Sequence, residues 1–151
     1  MSAPTIRQAV FADLDTLATL LDEYREFYRK SSDVAGAKAF LAGRFNHGES
    51  VIFVAEREGQ AVGFTQLYPS FSSTAMARIF ILNDLFVVES ARRLGVGAAL
   101  LEAAVGYARS MNAVRVSLNT DVQNTGAQAV YEAEGWERDR QFYAYHFYLQ
   151  K

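Results

Sequence analysis

A long apolar run, a glycine-bearing turn and an amphipathic stripe follow one another in the second half of this chain. That succession constrains the fold more than any other feature. Arg78 to Val88 is almost continuously apolar, which marks a central strand buried on both faces. Arg92-Arg93-Leu94-Gly95-Val96-Gly97-Ala98 then opens a helix, with Leu94, Ala98, Leu101, Val105 and Ala108 as its buried stripe and Asn112 at its end. Val114, Val116 and Leu118 alternate with Arg115, Ser117 and Asn119, so a further strand follows. A helix between two strands implies a parallel crossover.

The first half reads differently. Thr5 to Val10 is a short strand, and Ala12-Asp13 opens a helix with Asp13 as its N-cap. Leu14, Leu17, Leu21, Tyr24 and Tyr28 recur at three- and four-residue steps, forming one helix face. Ser31-Ser32-Asp33 breaks the pattern, and Val34 to Phe45 is a second helix. Ser50 to Arg57 and Ala61 to Tyr68 form a hairpin around Glu58-Gly59-Gln60, and Pro69 to Ser73 reads as a loop. Downstream of the crossover, Asn124 to Glu134 is a short helix closed by Gly135 at C′, and Phe142 to Leu149 is a final aromatic strand. The sum is a single α/β domain over residues 1–151, with a mixed sheet flanked by helices.

Composition narrows the function. Half of the 151 residues are hydrophobic, enough for a core without staples, and the formal net charge is −2, which argues against a general nucleic-acid binder. There is no cysteine, so a disulfide scaffold, a cysteine-ligated zinc site and a thiol nucleophile are excluded. His47 and His146 lie in no metal-binding spacing, and no metal is expected. Neither a secretory leader nor a membrane-spanning run is recognisable, which points to the cytoplasm and to no membrane partner.

The turn at residues 92–98 carries the chemistry. The first N–H groups of a helix have no internal partner and carry partial positive charge, so they can hold a pyrophosphate. Gly95 and Gly97 would let phosphate oxygens approach the main chain, and Arg92 and Arg93 add charge. An ordinary strand-to-helix turn would look much the same. A P-loop is excluded because no Gly-Lys-Ser/Thr follows, and a dinucleotide fingerprint because position 100 is Leu.

Arg92-x-x-Gly95-x-Gly97 resembles the Gln/Arg-x-x-Gly-x-Gly/Ala signature of the GNAT acetyltransferase superfamily. Asn124-x-x-Ala127-x-x-x-Tyr131-x-x-x-Gly135-Trp136 resembles its later motif, and Leu82-Asn83-Asp84-Leu85-Phe86-Val87 its central strand. The sequence looks most like the spermidine/spermine acetyltransferase-like branch and small histone or protein acetyltransferases. The resemblance implies a mostly antiparallel sheet splayed at the central strand by a bulge, with acetyl-CoA as co-substrate. It implies that the amides from Arg93 through Leu94, Gly95, Val96 and Gly97 to Ala98 hold the CoA pyrophosphate. Leu85, Phe86 and Val87 would offer backbone groups to the pantetheine arm, with the Val87 amide aimed at the acetyl carbonyl, and Asn124 would contact the CoA arm.

The expected reaction is attack of a neutral primary amine on a thioester. Tyr131 is the expected acid for the departing thiolate; the alternative is a core tyrosine with its hydroxyl bonded elsewhere. Many relatives carry Glu where this chain has Asn83, so a direct carboxylate at that position is lost. Asp84 points to the opposite face from its neighbour unless a bulge intervenes; it either relays a proton or braces the sheet. Asn83 could orient water or the amine. Glu23, Tyr24, Phe27 and Tyr28, with Tyr68, Phe71, Ser72 and Ser73, are candidates for an aromatic and acidic pocket suited to a small cationic amine. Acetylation of protein lysines or N-termini and a non-catalytic acyl-CoA sensor remain alternatives. The aromatic terminal segment makes a homodimer an expectation.

Overall fold

The structure is a computed structural model that describes residues 2–150. Strand β1 (Thr5–Gln8) and a 3-10 turn (Phe11–Asp13) lead into helix α1 (Leu14–Phe27). Asp13 sits at the N-cap position, but its carboxylate reaches back to the Val10 N–H (2.7 Å) and accepts two hydrogen bonds from Arg7 (2.8 and 2.9 Å), tying the helix entry to β1. Helix α2 (Val34–Asn46) follows a loop clamped by buried Asp22, which accepts from Ser32 Oγ and the Asp33 N–H.

Strands β2 (Val51–Arg57), β3 (Gln60–Ser72) and β4 (Ala77–Val87) form an antiparallel meander. Helix α3 (Val96–Ser110) carries the chain to β5 (Val116–Ser117), which pairs with β4 in parallel, and α4 (Thr125–Ala133) follows. Among the described residues the sheet has five strands in sequential order, antiparallel but for the last pair. The mixed, mostly antiparallel sheet read from the sequence is therefore present. Asn112 takes φ of 59° just past α3 and Gly135 takes φ of 92° past α4, both as helix-ending left-handed residues.

The core has two layers. Helices α1 and α2 bury Leu17, Leu21 and Leu41 on one sheet face with Ile52, Val54, Phe64 and Phe86. Helix α3 buries Leu100, Leu101 and Ala104 on the other, against Ala55, Leu67, Phe80 and Leu82. The close approach of β3 to β4 depends on Gly63, where a Cβ would lie 2.7 Å from the Phe86 carbonyl oxygen and 3.4 Å from Leu100 Cδ1. The first of these neighbours is backbone and cannot swing away. Gly63→Ala should therefore destabilise the protein by about 1–3 kcal/mol through overpacking, read as a lowered midpoint in thermal denaturation.

Two expected elements differ. Pro69 to Ser72 is not a loop but the continuation of β3, paired with Phe80 through Ala77. The turn signals of Pro69, Ser70, Ser72 and Ser73 are overridden by a long ladder to an apolar partner strand. The final aromatic strand does not form: residues 142–149 pair with no strand among the described residues, and their large side chains lie in solvent. A strand signal states a preference for a pleated neighbour, and this chain leaves that segment without one.

Candidate active site

The site is built where β4 leaves β5. The two strands pair only at Phe80↔Val116 and Ile81↔Ser117. Immediately beyond, the β3–β4 register slips: Leu67 faces Leu82 while Gln66 faces Asp84, leaving Asn83 as the extra, bulged residue. The bulge changes the phase of the pleat. Phe80 and Leu82 before it and Leu85 and Val87 after it all pack toward α3, so Asp84 and Phe86 turn toward α1. The slot between the diverging strands and the facing of Asp84 thus share one cause.

The backbone of β4 beyond the bulge divides in the same alternating way. The Val88 N–H donates to Val62 O (2.9 Å) and Asp84 O accepts from Thr65 Oγ1 (2.8 Å), so residues 84, 86 and 88 face β3. Leu85 and Val87 then present their N–H and C=O groups to the slot. The expectation that Phe86 offers backbone groups there is corrected: its carbonyl points at Gly63 on β3, and its ring lies under Tyr24.

Asp84 is a buried carboxylate, 8% exposed. Gln66 Nε2 donates to one of its oxygens (2.8 Å) and Asn83 Nδ2 to the other (3.1 Å). Burial nevertheless wins and raises its pKa above the ordinary carboxylate range, the two hydrogen bonds opposing it only in part. Three tyrosines surround this region. Tyr68 is pushed up to about 12 by burial and by the Asp84 charge. Tyr24 is raised by burial first and then by Asp84, and its ring packs edge-on against Tyr28 with centroids 5.1 Å apart. Tyr131, from α4, is raised by burial and by its proximity to Tyr28, against a hydrogen bond with Thr120 that lowers it. All three phenols stay protonated at neutral pH.

Of the acceptor candidates, Tyr24 and Tyr68 flank Asp84, and Tyr28 packs on the Tyr24 ring. Glu23 points outward. Phe71 lies five positions along β3 from Gln66, about 17 Å away at ~3.4 Å per residue, and stacks with Arg78 (4.7 Å). Ser72 and Ser73 share that distant hairpin end. Tyr68 also lines a cavity of about 490 Å³ with Phe40, Arg44, Gly48, Glu49 and Pro69. Sequence reasoning missed Phe40, Arg44 and Gln66; a glutamine in the middle of the β-rich run from Ala61 to Tyr68 was the available signal for the last.

On the other side of the slot stands the N-terminus of α3. Gly95 takes φ of 83° and Arg93 φ of 64°, and no side chain caps the helix. The first intrahelical bond runs from the Ala99 N–H to Gly95 O, so the N–H groups of Val96, Gly97 and Ala98 have no helical partner. Space is open where Gly95 and Gly97 would carry a Cβ. Uncapped donors and open space fit a pyrophosphate. Arg93 is exposed beside them, with Leu94 half-buried. Arg92 is turned to the strand instead: its Nε donates to Val87 O (2.9 Å), and its guanidinium lies 5.4 Å from the Phe27 ring and 5.8 Å from Phe86. Asn124 caps α4, its Oδ1 accepting from the Ala127 N–H (3.1 Å), which leaves its amide donors for other partners. No cluster of three or more metal-ligating side chains occurs among the described residues, nor does any helix there have the length and apolarity to cross a membrane.

A splayed β4–β5 pair with an uncapped, glycine-opened helix N-terminus at its mouth is the architecture of an acyl-CoA-using transferase. Residues 17–136 match the model of the acetyltransferase (GNAT) family. The chain is 51% identical over 93% of its length, and 94% of the relative's, to the uncharacterized N-acetyltransferase YhfO of Bacillus subtilis. It is 30% identical over 64% of its length, and 65% of the relative's, to an aminoglycoside N(6')-acetyltransferase type 1 of Klebsiella aerogenes. A crystal structure described as a probable acetyltransferase superposes with a TM-score of 0.92 at 43% identity, covering 97% of this chain and 99% of that one. The chain belongs to the GNAT acetyltransferase family. Its activity is N-acetyl transfer from acetyl-CoA.

Proposed function

We propose that the acceptor is the primary amine of a small cationic molecule, deprotonated through Asp84 and acetylated by direct attack, with Tyr131 returning a proton to the departing sulfur. The observation that carries this reading is the bulge at Asn83, which turns a buried carboxylate to the α1 side of the slot. An alkylamine has a pKa of about 10.4 and arrives mostly as ammonium. A carboxylate with a raised pKa, flanked by Tyr24 and Tyr68, with Tyr28 packed on the Tyr24 ring, attracts that cation and accepts its proton, directly or through one water. Asn83 and Gln66, each donating to Asp84, hold its two oxygens in place.

Acetyl-CoA supplies the thioester when bound. The amides of Val96, Gly97 and Ala98, with Arg93 beside them, are suited to its pyrophosphate, and Leu85 and Val87 to its extended arm. The Val87 N–H is the donor suited to the developing oxyanion. Arg92 acts on this arrangement through Val87 O, by fixing the end of β4. Among relatives of named substrate, one is an aminoglycoside N(6')-acetyltransferase and another the D-amino-acid N-acetyltransferase HPA3 of Saccharomyces cerevisiae, both names of small amines.

The test mixes purified protein with acetyl-CoA and a panel of polyamines, aminoglycosides, amino acids and lysine peptides, following free thiol; the absence of cysteine keeps the protein silent in that assay. Small polycationic amines should give the highest kcat/KM. Turnover of lysine peptides alone would overturn the small-amine reading, and CoA binding without any turnover would favour a sensor. Tyr131→Phe should lower kcat about 100-fold or more, within the range for a lost general acid, with CoA affinity by calorimetry unchanged. Unchanged turnover in that variant would remove Tyr131 from the proton path.

A further inference from the structure

We propose that Arg92 is a positioning residue that clasps the tip of α1 to the end of β4, so that one side chain sets both the acceptor wall and the oxyanion donor. It is not a ligand of the CoA phosphates. The inference rests on the roles given above to Val87 and to the Tyr24 and Asp84 side of the slot.

Two neighbouring arginines open the turn before α3, and the fold parts them. Arg93 takes a left-handed φ of 64° and is exposed beside the free amides of α3. Arg92 is still extended, at φ −71° and ψ 155°, and its side chain returns to β4. Its Nε–H donates to Val87 O at 2.9 Å, and its guanidinium lies 5.4 Å from the Phe27 ring and 5.8 Å from the Phe86 ring. No carboxylate pairs with it among the described residues. A planar, weakly hydrated guanidinium suits two aromatic faces and a carbonyl at once, whereas an ammonium does not. The Val87 oxygen keeps a second lone pair, so this bond does not close β4 to the CoA arm.

Phe27 is the last residue of α1, and the helix outruns its support there. Its fully buried residues stop at Asp22, while Phe27 and Tyr28 are 54% and 47% exposed. From Phe27 the rings continue inward. Phe27 meets Tyr28 with centroids 5.3 Å apart, Tyr28 meets Tyr24 at 5.1 Å, and Tyr24 lies within reach of the Asp84 charge. The packing of Tyr24 on Phe86 fixes the helix one turn earlier, and Arg92 fixes its end. An aromatic row therefore runs from Asp84 to the Arg92 guanidinium, and the same guanidinium reaches Val87. Without it, the wall against the amine and the peptide that carries the oxyanion donor lose a common support.

Arg92→Lys is the deciding variant, because it keeps the charge and loses the plane and the Nε–H. It should behave as Arg92→Met does. With the amine of highest kcat/KM in the panel, kcat falls about 10- to 100-fold, the scale of a small misplacement at the reacting atoms, and the amine KM rises. Calorimetric CoA affinity is retained in both, while Arg93→Met weakens it and flattens its salt dependence. Hydrogen exchange reads the clasp with no amine present. In Arg92→Met it quickens at the Tyr28 and Lys30 N–H groups that close α1, and at the Val88 N–H bonded to Val62. Phe27→Ala quickens the first pair and spares Val88, since Arg92 still holds Val87. Wild-type kcat in Arg92→Lys overturns the proposal. So does a loss of CoA affinity in Arg92→Met equal to that in Arg93→Met, or unaltered exchange at either place in Arg92→Met. If no amine in the panel reacts, the acceptor reading fails, and calorimetry and exchange, which need only protein and CoA, still decide this one.

Discussion

Asp84→Asn lowers kcat/KM for the amine by about 100- to 10,000-fold, the span expected when a positioned base is removed, while calorimetric CoA affinity is retained. The same substitution raises the melting temperature at neutral pH. A buried carboxyl with an elevated pKa keeps its proton in the folded state after the unfolded chain has released it. Stability therefore falls as pH rises from the unfolded chain's ordinary carboxylate range through the folded-state value, and stays lower above it. Asparagine carries no such charge. Gln66 Oε1, which has no partner beside Asp84, can turn to accept from the new amide, so the network adapts. The stabilisation should vanish at pH values below the unfolded carboxyl range, where Asp84 is neutral in both states. In the wild type, the acidic limb of the kcat/KM profile should lie above the usual carboxylate range and should be absent from the residual activity of the variant. Wild-type turnover in Asp84→Asn would assign the residue to bracing the sheet.

Phe64→Ala should be the most damaging single change to the core, costing about 3–5 kcal/mol and, at ~2–4 °C per kcal/mol for a chain of this size, about 6–20 °C in Tm. Phe64 is 1% exposed in the layer between the sheet and α1. Its ring meets Tyr24 edge-on with centroids 5.9 Å apart, and Tyr24 in turn packs on Phe86 at 5.7 Å. The cavity left behind therefore borders the acceptor side of the slot. The variant should show a raised KM for the amine measured well below its lowered Tm, with a smaller change for acetyl-CoA, whose suited groups lie on β4 and α3. An unaltered amine KM in a folded Phe64→Ala would mean that Tyr24 holds its place without this support.

Much of this protein can be read along the chain because its signals are local. The stripe of α1, the loop at Ser31 to Asp33, the apolar run of β4, the glycine-opened start of α3 and Gly135 beyond α4 all depend on residues within a few positions of one another. The parallel crossover follows from the same order of elements. The motif residues Arg92, Gly95, Gly97, Asn124 and Tyr131 are likewise recognisable by spacing alone.

The orientation of Asp84 is not local. Period two puts neighbours on opposite faces, and only pairing with β3 reveals that Asn83 is the extra residue and that the phase changes there. The same pairing decides that Phe86 turns its backbone to Gly63 while Val87 faces the slot, that Pro69 to Ser72 lengthens β3, and that Arg92 settles on Val87 and two aromatic rings. The gathering of Tyr24, Tyr28, Tyr68 and Tyr131 from two helices and a strand also requires the layers to be packed. The sequence by itself determined the elements, their order and the chemistry available. The tertiary structure decided which face each side chain takes and which strand has no partner, because register and edge are properties of a pair of strands and not of one.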